Sequence, residues 1–340
     1  MNDTPTTGPR PVYHATVADL AALTGESIET ATSFFEPGHL LPMGGGRSGV
    51  TPKGSRAYLS AKKIVDYDFR VIATINLRGG IGKTTASVTA ATRAVQYGFT
   101  ACLLDLDSQG SASVAFDAIP DEEDPIFLDI WEKPTEMTPH AAVKIEENLW
   151  LIPSALENGL LDSHLTRPAW QKTAVRGVCD ALRDEGADLV FVDCPPSLGA
   201  GVISAICAAD LIVIPVGSDP FSIRGLELTL NEIGEIRGAF GLPEATVKIL
   251  YSRFDRREKM SFDTLELLQT AYADRLIPTP IRTSTHYSKA LAVRQTVFAS
   301  HTKSVARDDY DQFVRALLNI RPANGKNGKK GGADGSEKGE

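Results

Sequence analysis

Three short stretches of this 340-residue sequence hold residue types suited to binding phosphate and directing attack on it. In the first, NLRGGIGKTT at 76–85, Gly79, Gly80, Ile81 and Gly82 lead into Lys83, Thr84 and Thr85. Glycines let such a loop turn tightly with its N–H groups pointing inward, and a helix starting near Lys83 adds its positive end to the same place. The Lys83 ammonium can then reach the β- and γ-phosphates of a nucleotide, and the Thr84 hydroxyl can ligate Mg²⁺. A glycine-rich turn alone says little. Here G-K-T-T falls between the apolar run Val71–Ile75 and a helical stretch, which is the context a nucleoside triphosphate site requires.

Two aspartate-bearing stretches supply the remaining chemistry. ACLLDLDSQGSAS ends an apolar run with Asp105 and Asp107, the latter 24 residues beyond Lys83. Residues two apart share a strand face, but past the strand's end the second carboxylate can swing into a crevice above the phosphates; a solvated strand terminus is the plainer alternative. LVFVDCPPSLG sets Asp193 directly after four apolar residues and before Cys194 and two prolines that end the strand. That placement suits a carboxylate that holds Mg²⁺ through water.

The elements that must position these groups are legible as alternating patterns. Val71–Ile75, Ala101–Leu106, Leu189–Val192, Leu211–Val216 and Val247–Tyr251 are short Val/Ile/Leu-rich runs, which read as strands buried on both faces. TTASVTAATRAVQYG, stopped by Gly98, and WQKTAVRGVCDALRDEG read as helices between them. The expectation is an α/β fold, a mostly parallel sheet covered by helices on both faces, with a small N-terminal helical domain. Ligands in such sheets bind at the carboxyl ends of the strands. The boundaries read as a flexible arm at 1–13, a helix-turn-helix-like domain at 14–66, a nucleotide-binding domain at 67–320, and a disordered, Gly-rich tail at 321–340.

Hydrophobic residues make up 42% of the chain and charged residues 23%, which excludes a wholly disordered or collagen-like protein. The net charge is −8, so any contact with DNA must come from a local patch. Cys102, Cys179, Cys194 and Cys207 have no C-x-x-C spacing and read as small buried side chains. The polar start and the absence of a spanning apolar run give a cytoplasmic expectation.

In order, RGGIGKTT, DLDSQGSAS and VDCPPSLG resemble the motifs K-G-G-x-G-K-T-T/S, D-x-D-P-Q-G and D-x-P-P-S-L-G of the ParA/MinD family of deviant Walker-A ATPases, most of all its ParA partition proteins. LWLIPSA at 149–155, LIVIPV followed by PFSIRGLELT, and ILYSRFDRREKMS at 249–261 extend the likeness over residues 70–318. The resemblance implies a P-loop ATPase that forms a homodimer with ATP and Mg²⁺ at the subunit interface. It implies slow hydrolysis stimulated by a ParB-like centromere-binding adaptor, binding to nonspecific DNA, and a nucleoid-associated location. Carried over residue by residue, it gives Lys83 and Thr84 to phosphate and Mg²⁺, Asp107 to positioning the attacking water, Asp193 to Mg²⁺ through water, Asp105 to indirect support, and Ser252 and Arg253 to the approach to the base. Two positions depart. Arg78 stands where the family has the signature lysine that reaches the other subunit's phosphates; it keeps the charge and adds a planar fork. Ser108 stands where proline is usual, which loosens φ. A MinD-type membrane ATPase would need an amphipathic terminal helix, and this Gly-rich terminus has no apolar face, so no membrane partner is expected.

Within 14–66, TVADLAALTG from Thr16 and GSRAYLS from Gly54 resemble the MerR-type helix-turn-helix, which implies operator DNA as a possible partner. Ser27 can cap a second helix, Ile28 to Phe35, but SIETATSFF carries a glutamate and no Lys or Arg. A dimerisation or docking module is the alternative there. Arg47, Lys53, Arg56, Lys62 and Lys63 are the phosphate-contact candidates of this unit. Residues 245–294 hold nine Lys or Arg against five Asp or Glu, and Arg256, Arg257, Lys259, Arg282, Lys289 and Arg294 are the candidates for nonspecific DNA. The competing expectation for the whole chain is a nucleotide-regulated DNA-binding transcriptional regulator with little hydrolysis.

Overall fold

The computed structural model describes residues 13–320, so the expected tail at 321–340 and all of the expected arm except Tyr13 lie outside the described residues. The N-terminal unit begins with β1 (Ala15–Thr16) and α1 (Val17–Thr24). Thr16 caps α1, its hydroxyl accepting the Asp19 N–H at 3.0 Å while the Asp19 carboxylate accepts the Thr16 N–H at 3.2 Å. Gly25, at φ 71°, ends the helix. Ser27 caps α2 (Ile28–Phe34) by accepting the Thr30 N–H at 3.0 Å. The unit is not purely helical. β2 (Leu40–Met43) and β3 (Arg47–Val50) form a hairpin, and β1 pairs with β3 in a three-stranded antiparallel sheet ahead of α3 (Pro52–Ala61). The glycine run at 44–46 is the hairpin turn, with Gly45 and Gly46 at φ 73° and 71°, values side chains resist. Strands of four residues, one containing Pro42, carry too little alternation to be read from sequence.

The large domain is built on β4 (Arg70–Thr74), β5 (Ala101–Asp105), β6 (Val143–Glu146), β7 (Leu149–Ile152), β8 (Leu189–Asp193), β9 (Leu211–Val216) and β10 (Thr246–Tyr251), in the order β10-β9-β4-β8-β5-β7-β6. All neighbours are parallel except edge strand β6, which runs antiparallel to β7. The five expected strands match within one residue at either end, whereas β6 and β7 were not expected as strands. Alternate side chains feed two cores. Ile72, Leu103 and Phe191 pack on the side of α4 (Lys83–Gln96) and the helix Val305–Leu317, while Val71, Leu104 and Val192 pack with the helices Pro168–Asp184 and Ala200–Ala208. Burial on both faces is why these strands read as continuous apolar runs.

The N-terminal unit shares the first of these cores: Leu20, Leu23, Tyr58 and Leu59 lie in one cluster with Ala91 and Ala94 of α4 and with Phe313. Arg56 pairs with Asp188 at 2.5 Å, Arg307 with Asp19 at 3.2 Å, and the Tyr13 N–H donates to both Glu146 oxygens. Gly98 stops α4 at φ 88°, and it also admits α3: a Cβ there would lie 2.5 Å from the Arg56 nitrogen. The four cysteines are free and buried. Among the described residues, no helix is long and apolar enough to cross a membrane.

Candidate nucleotide site

Parallel strands end on the same side, so the turns after β4, β5, β8 and β10 meet at one edge of the sheet. There they line a cleft of about 610 Å³, within the range of small-molecule sites. Gly82, Lys83, Thr84, Asp107, Ser252 and Arg253 all face it, although they come from three distant parts of the sequence.

In the phosphate loop, Gly80 and Gly82 hold φ 73° and 91°. Gly79 has no positive φ, so only two of the three expected glycines are required by backbone geometry. No side chain caps α4, which leaves its first N–H groups to an anion in the loop. Lys83 is 7% exposed, and its Nζ donates to the Arg78 carbonyl at 2.8 Å. Burial pushes its pKa below the ordinary lysine value, opposed chiefly by the charge of Asp193.

Register decides how the carboxylates divide their work. Asp193, last in β8, stands opposite Thr74 on one side and Asp105 on the other. Asp105 is fully buried and turned into its own loop: its oxygens accept the Asp107 N–H at 3.2 Å, the Ser113 N–H at 3.1 Å and the Ser113 hydroxyl at 2.9 Å. Burial, then repulsion from Asp193, pushes its pKa up to about 7. Asp107 lies past the strand's end on the half-buried wall of the cleft, one oxygen accepting the Gln109 N–H at 3.0 Å. Asp193 accepts the Ser87 hydroxyl at 3.1 Å on Oδ1, while Oδ2 is buried without a hydrogen-bond partner. Burial raises its pKa to about 6, opposed by the Thr84 and Ser87 hydroxyls. An orphaned, buried carboxylate oxygen beside Thr84 fits a Mg²⁺ whose coordinated water can donate to it. Among the described residues no group of three or more His, Cys, Asp or Glu forms a metal cage, and Mg²⁺ sites built on phosphate oxygens need none.

Arg78 points to its own subunit. Its Nη1 donates to Asp219 Oδ1 and, at 3.1 Å, to the Ser222 hydroxyl, and its N–H donates to Asn76 Oδ1 at 2.9 Å. Ser252 is buried on the cleft wall; Arg253 is exposed, with a left-handed backbone at φ 61°.

The basic candidates separate into two groups. Arg257 pairs with Asp255 at 2.6 Å, and Arg294 pairs with Asp117. Arg282 does not stand on an open face: it lines the cleft and is clamped at 2.5 Å by Asp309, which is fully buried, because the loop carrying it runs back against the helix Val305–Leu317. Arg256, Lys259 and Lys289 are exposed and make no ion pair among the described residues. In the N-terminal unit, Arg56 and Lys62 are engaged by Asp188 and Glu26, whereas Arg47, Lys53 and Lys63 carry no ion pair among the described residues. Sequence reasoning missed Asn76, Ser87, Ser113 and Asp219. Only Asp219 had a local signal, an Asp directly before Pro220 at a helix start.

The sequence model of an AAA domain matches residues 69–242. The chain is 30% identical over 246 residues to the cell division protein PomZ of Myxococcus xanthus, covering 72% of this chain and 76% of that one. It is 25% identical over 251 residues to the chromosome partitioning protein ParA of Caulobacter vibrioides, covering 73% and 94%. Among solved structures, an ATP complex of a single-residue variant of McdA from Cyanothece superposes with a TM-score of 0.66 at 19% identity, over 74% of this chain and 97% of that one.

Proposed function

Because the chain belongs to the ParA/MinD family of Walker-A P-loop ATPases, we propose that it is an ATP-dependent partition ATPase that dimerises on ATP, binds DNA and is released when a ParB-like adaptor stimulates hydrolysis. The observation that carries this reading is the convergence of Lys83, Thr84 and Asp107 on one cleft, with the orphaned Asp193 oxygen beside Thr84. The reaction is in-line attack of water on the γ-phosphate. Lys83 and the uncapped N–H groups of α4 offset charge on the phosphates as it shifts toward the leaving oxygen. Asp107 orients the water. Thr84 and Asp193, the latter through water, would hold Mg²⁺, which would offset negative charge on the phosphates. Arg78 supplies further positive charge from the neighbouring subunit, and Ser252 and Arg253 border the base.

Arg256, Lys259 and Lys289 are the side chains in this reading that meet DNA phosphates, since no carboxylate among the described residues holds them. A −8 chain repels DNA unless two basic segments join into one surface, which ATP-driven dimerisation provides. The competing reading is a nucleotide-regulated DNA-binding regulator with little hydrolysis, for which the exposed face of α2 leaves room for operator DNA.

Fluorescence anisotropy on a random duplex tests the switch, with the Asp107→Ala protein used to suppress hydrolysis. Tight binding with ATP, weak binding with ADP and a steep salt dependence are expected; each phosphate contact adds about 0.9 to the log–log slope. Equal affinity in the two nucleotides overturns the reading. Turnover that never responds to DNA or adaptor favours the regulator.

A further inference from the structure

Asp219 performs two tasks at once. It is the N-cap of the helix Pro220–Ala239, where Oδ1 accepts the N–H groups of Phe221 and Ser222 at 3.1 and 3.2 Å and Oδ2 accepts the Ser222 hydroxyl at 2.6 Å. The same carboxylate receives the Arg78 guanidinium. Against the effect of burial, that guanidinium and the Ser222 hydroxyl hold the Asp219 pKa below the ordinary carboxylate range. Arg78 and Asp219 are 46% and 37% exposed, and ion pairs that open to water are weak. Opening this one leaves no orphan: Asp219 keeps its cap bonds, and the guanidinium moves to a phosphate bearing more negative charge than a carboxylate.

The backbone of Arg78 is held as well. Its N–H is tied to Asn76, whose own amide donates to the Pro215 carbonyl at 2.8 Å, and its carbonyl accepts Lys83 Nζ. The backbone is therefore fixed at both ends of the residue, and the side chain is the part of Arg78 left free to change partner.

We infer that Asp219 is a positioning residue that parks Arg78 within its own subunit, and that the phosphates of a partner subunit must compete Arg78 away from it before the dimer closes. The inference rests on the reading of Arg78 as a group acting across the dimer. The latch then sets the threshold for dimerisation: hydrolysis in an isolated subunit lacks the Arg78 charge, because the guanidinium is committed elsewhere.

Asp219→Asn isolates the effect, since asparagine caps helices as well as aspartate does but carries no charge. ATP-dependent dimerisation should tighten by about threefold to tenfold, two weak pairs being lost per dimer, with an unchanged melting temperature. Asp219→Glu should return the affinity toward wild type. In an Arg78→Ala background, Asp219→Asn should have no effect on dimerisation, an outcome that a purely structural role for Asp219 does not give. Dimer affinity is read by analytical ultracentrifugation with ATP, and phosphate release is measured alongside it. An unchanged dimer affinity in Asp219→Asn, with Arg78→Ala weakening it, overturns the latch and leaves the role of Arg78 standing. Normal dimerisation and turnover in Arg78→Ala remove that role and the latch with it.

Discussion

Lys83 sits in a nearly closed setting where its ammonium donates to a backbone carbonyl and to no other group among the described residues. Such a charge is poorly solvated, and a triphosphate in the cleft restores what burial removes. Lys83→Ala should therefore lower ATP affinity by at least about 100-fold, the loss of a charge-assisted contact in a desolvated site, with little change in melting temperature. Isothermal titration with a nonhydrolysable nucleotide checks this, and near-wild-type affinity would remove Lys83 from the phosphate site. At the same scale, the pair Asp105 and Asp107 shows how position outranks type. Two residues apart, one is locked by three hydrogen bonds inside its loop and the other is left at the cleft wall.

Among the elements, α4 links the two halves of the molecule. Its first turn forms the phosphate loop's base, its middle lies in the core shared with the N-terminal unit, and Gly98 just beyond it meets α3. Gly98→Ala demands both a left-handed conformation of a side-chain-bearing residue and room where the Arg56 backbone stands. The expected cost is about 2–4 kcal/mol of stability, larger than a φ penalty alone. Chemical denaturation measures it, and a loss under about 1 kcal/mol would show that α3 can withdraw freely.

At the scale of the molecule, the N-terminal unit is packed into a common core and not tethered. Removing residues 1–66 would strip Leu20, Leu23 and Leu59 from the core they share with α4, so surface changes on α2, such as Glu29→Lys, probe DNA binding more cleanly than deletion. Docking is also sensitive to pH. Burial pushes the Glu146 pKa up to about 7, opposed by the Tyr13 N–H it accepts. A carboxyl with a higher pKa folded than unfolded binds more protons in the native state, so its contribution to stability falls as pH rises from about 4.5 to about 7. Glu146→Gln keeps an acceptor for Tyr13 and does not titrate. Its melting temperature should fall less than that of wild type between pH 5 and pH 7.5, by the equivalent of about 1–2 kcal/mol after allowance for partial exposure. Asp105 and Asp193, raised in the same way, titrate in both proteins, so an identical pH profile would take Glu146 out of the account.

Contiguous features were legible in the residues alone. NLRGGIGKTT shows its loop because glycine freedom, the lysine and the helix start all lie within ten positions. β4, β5, β8 and β9 show as apolar runs because both their faces are buried, and edge strand β10 shows through its buried second half, Ile249, Leu250 and Tyr251. The β2–β3 hairpin and β6 did not, since short, half-exposed strands leave no periodic signal. Charge pairing was beyond reach for a different reason. Arg282 read as a free cation until the fold set Asp309 beneath it, and Arg78 as a reaching finger until Asp219, 141 residues away, was brought alongside. Residue type determines which partners a side chain can accept; only the register of β8 against β4 and β5, and the return of distant loops to one sheet edge, decided which partner each side chain received.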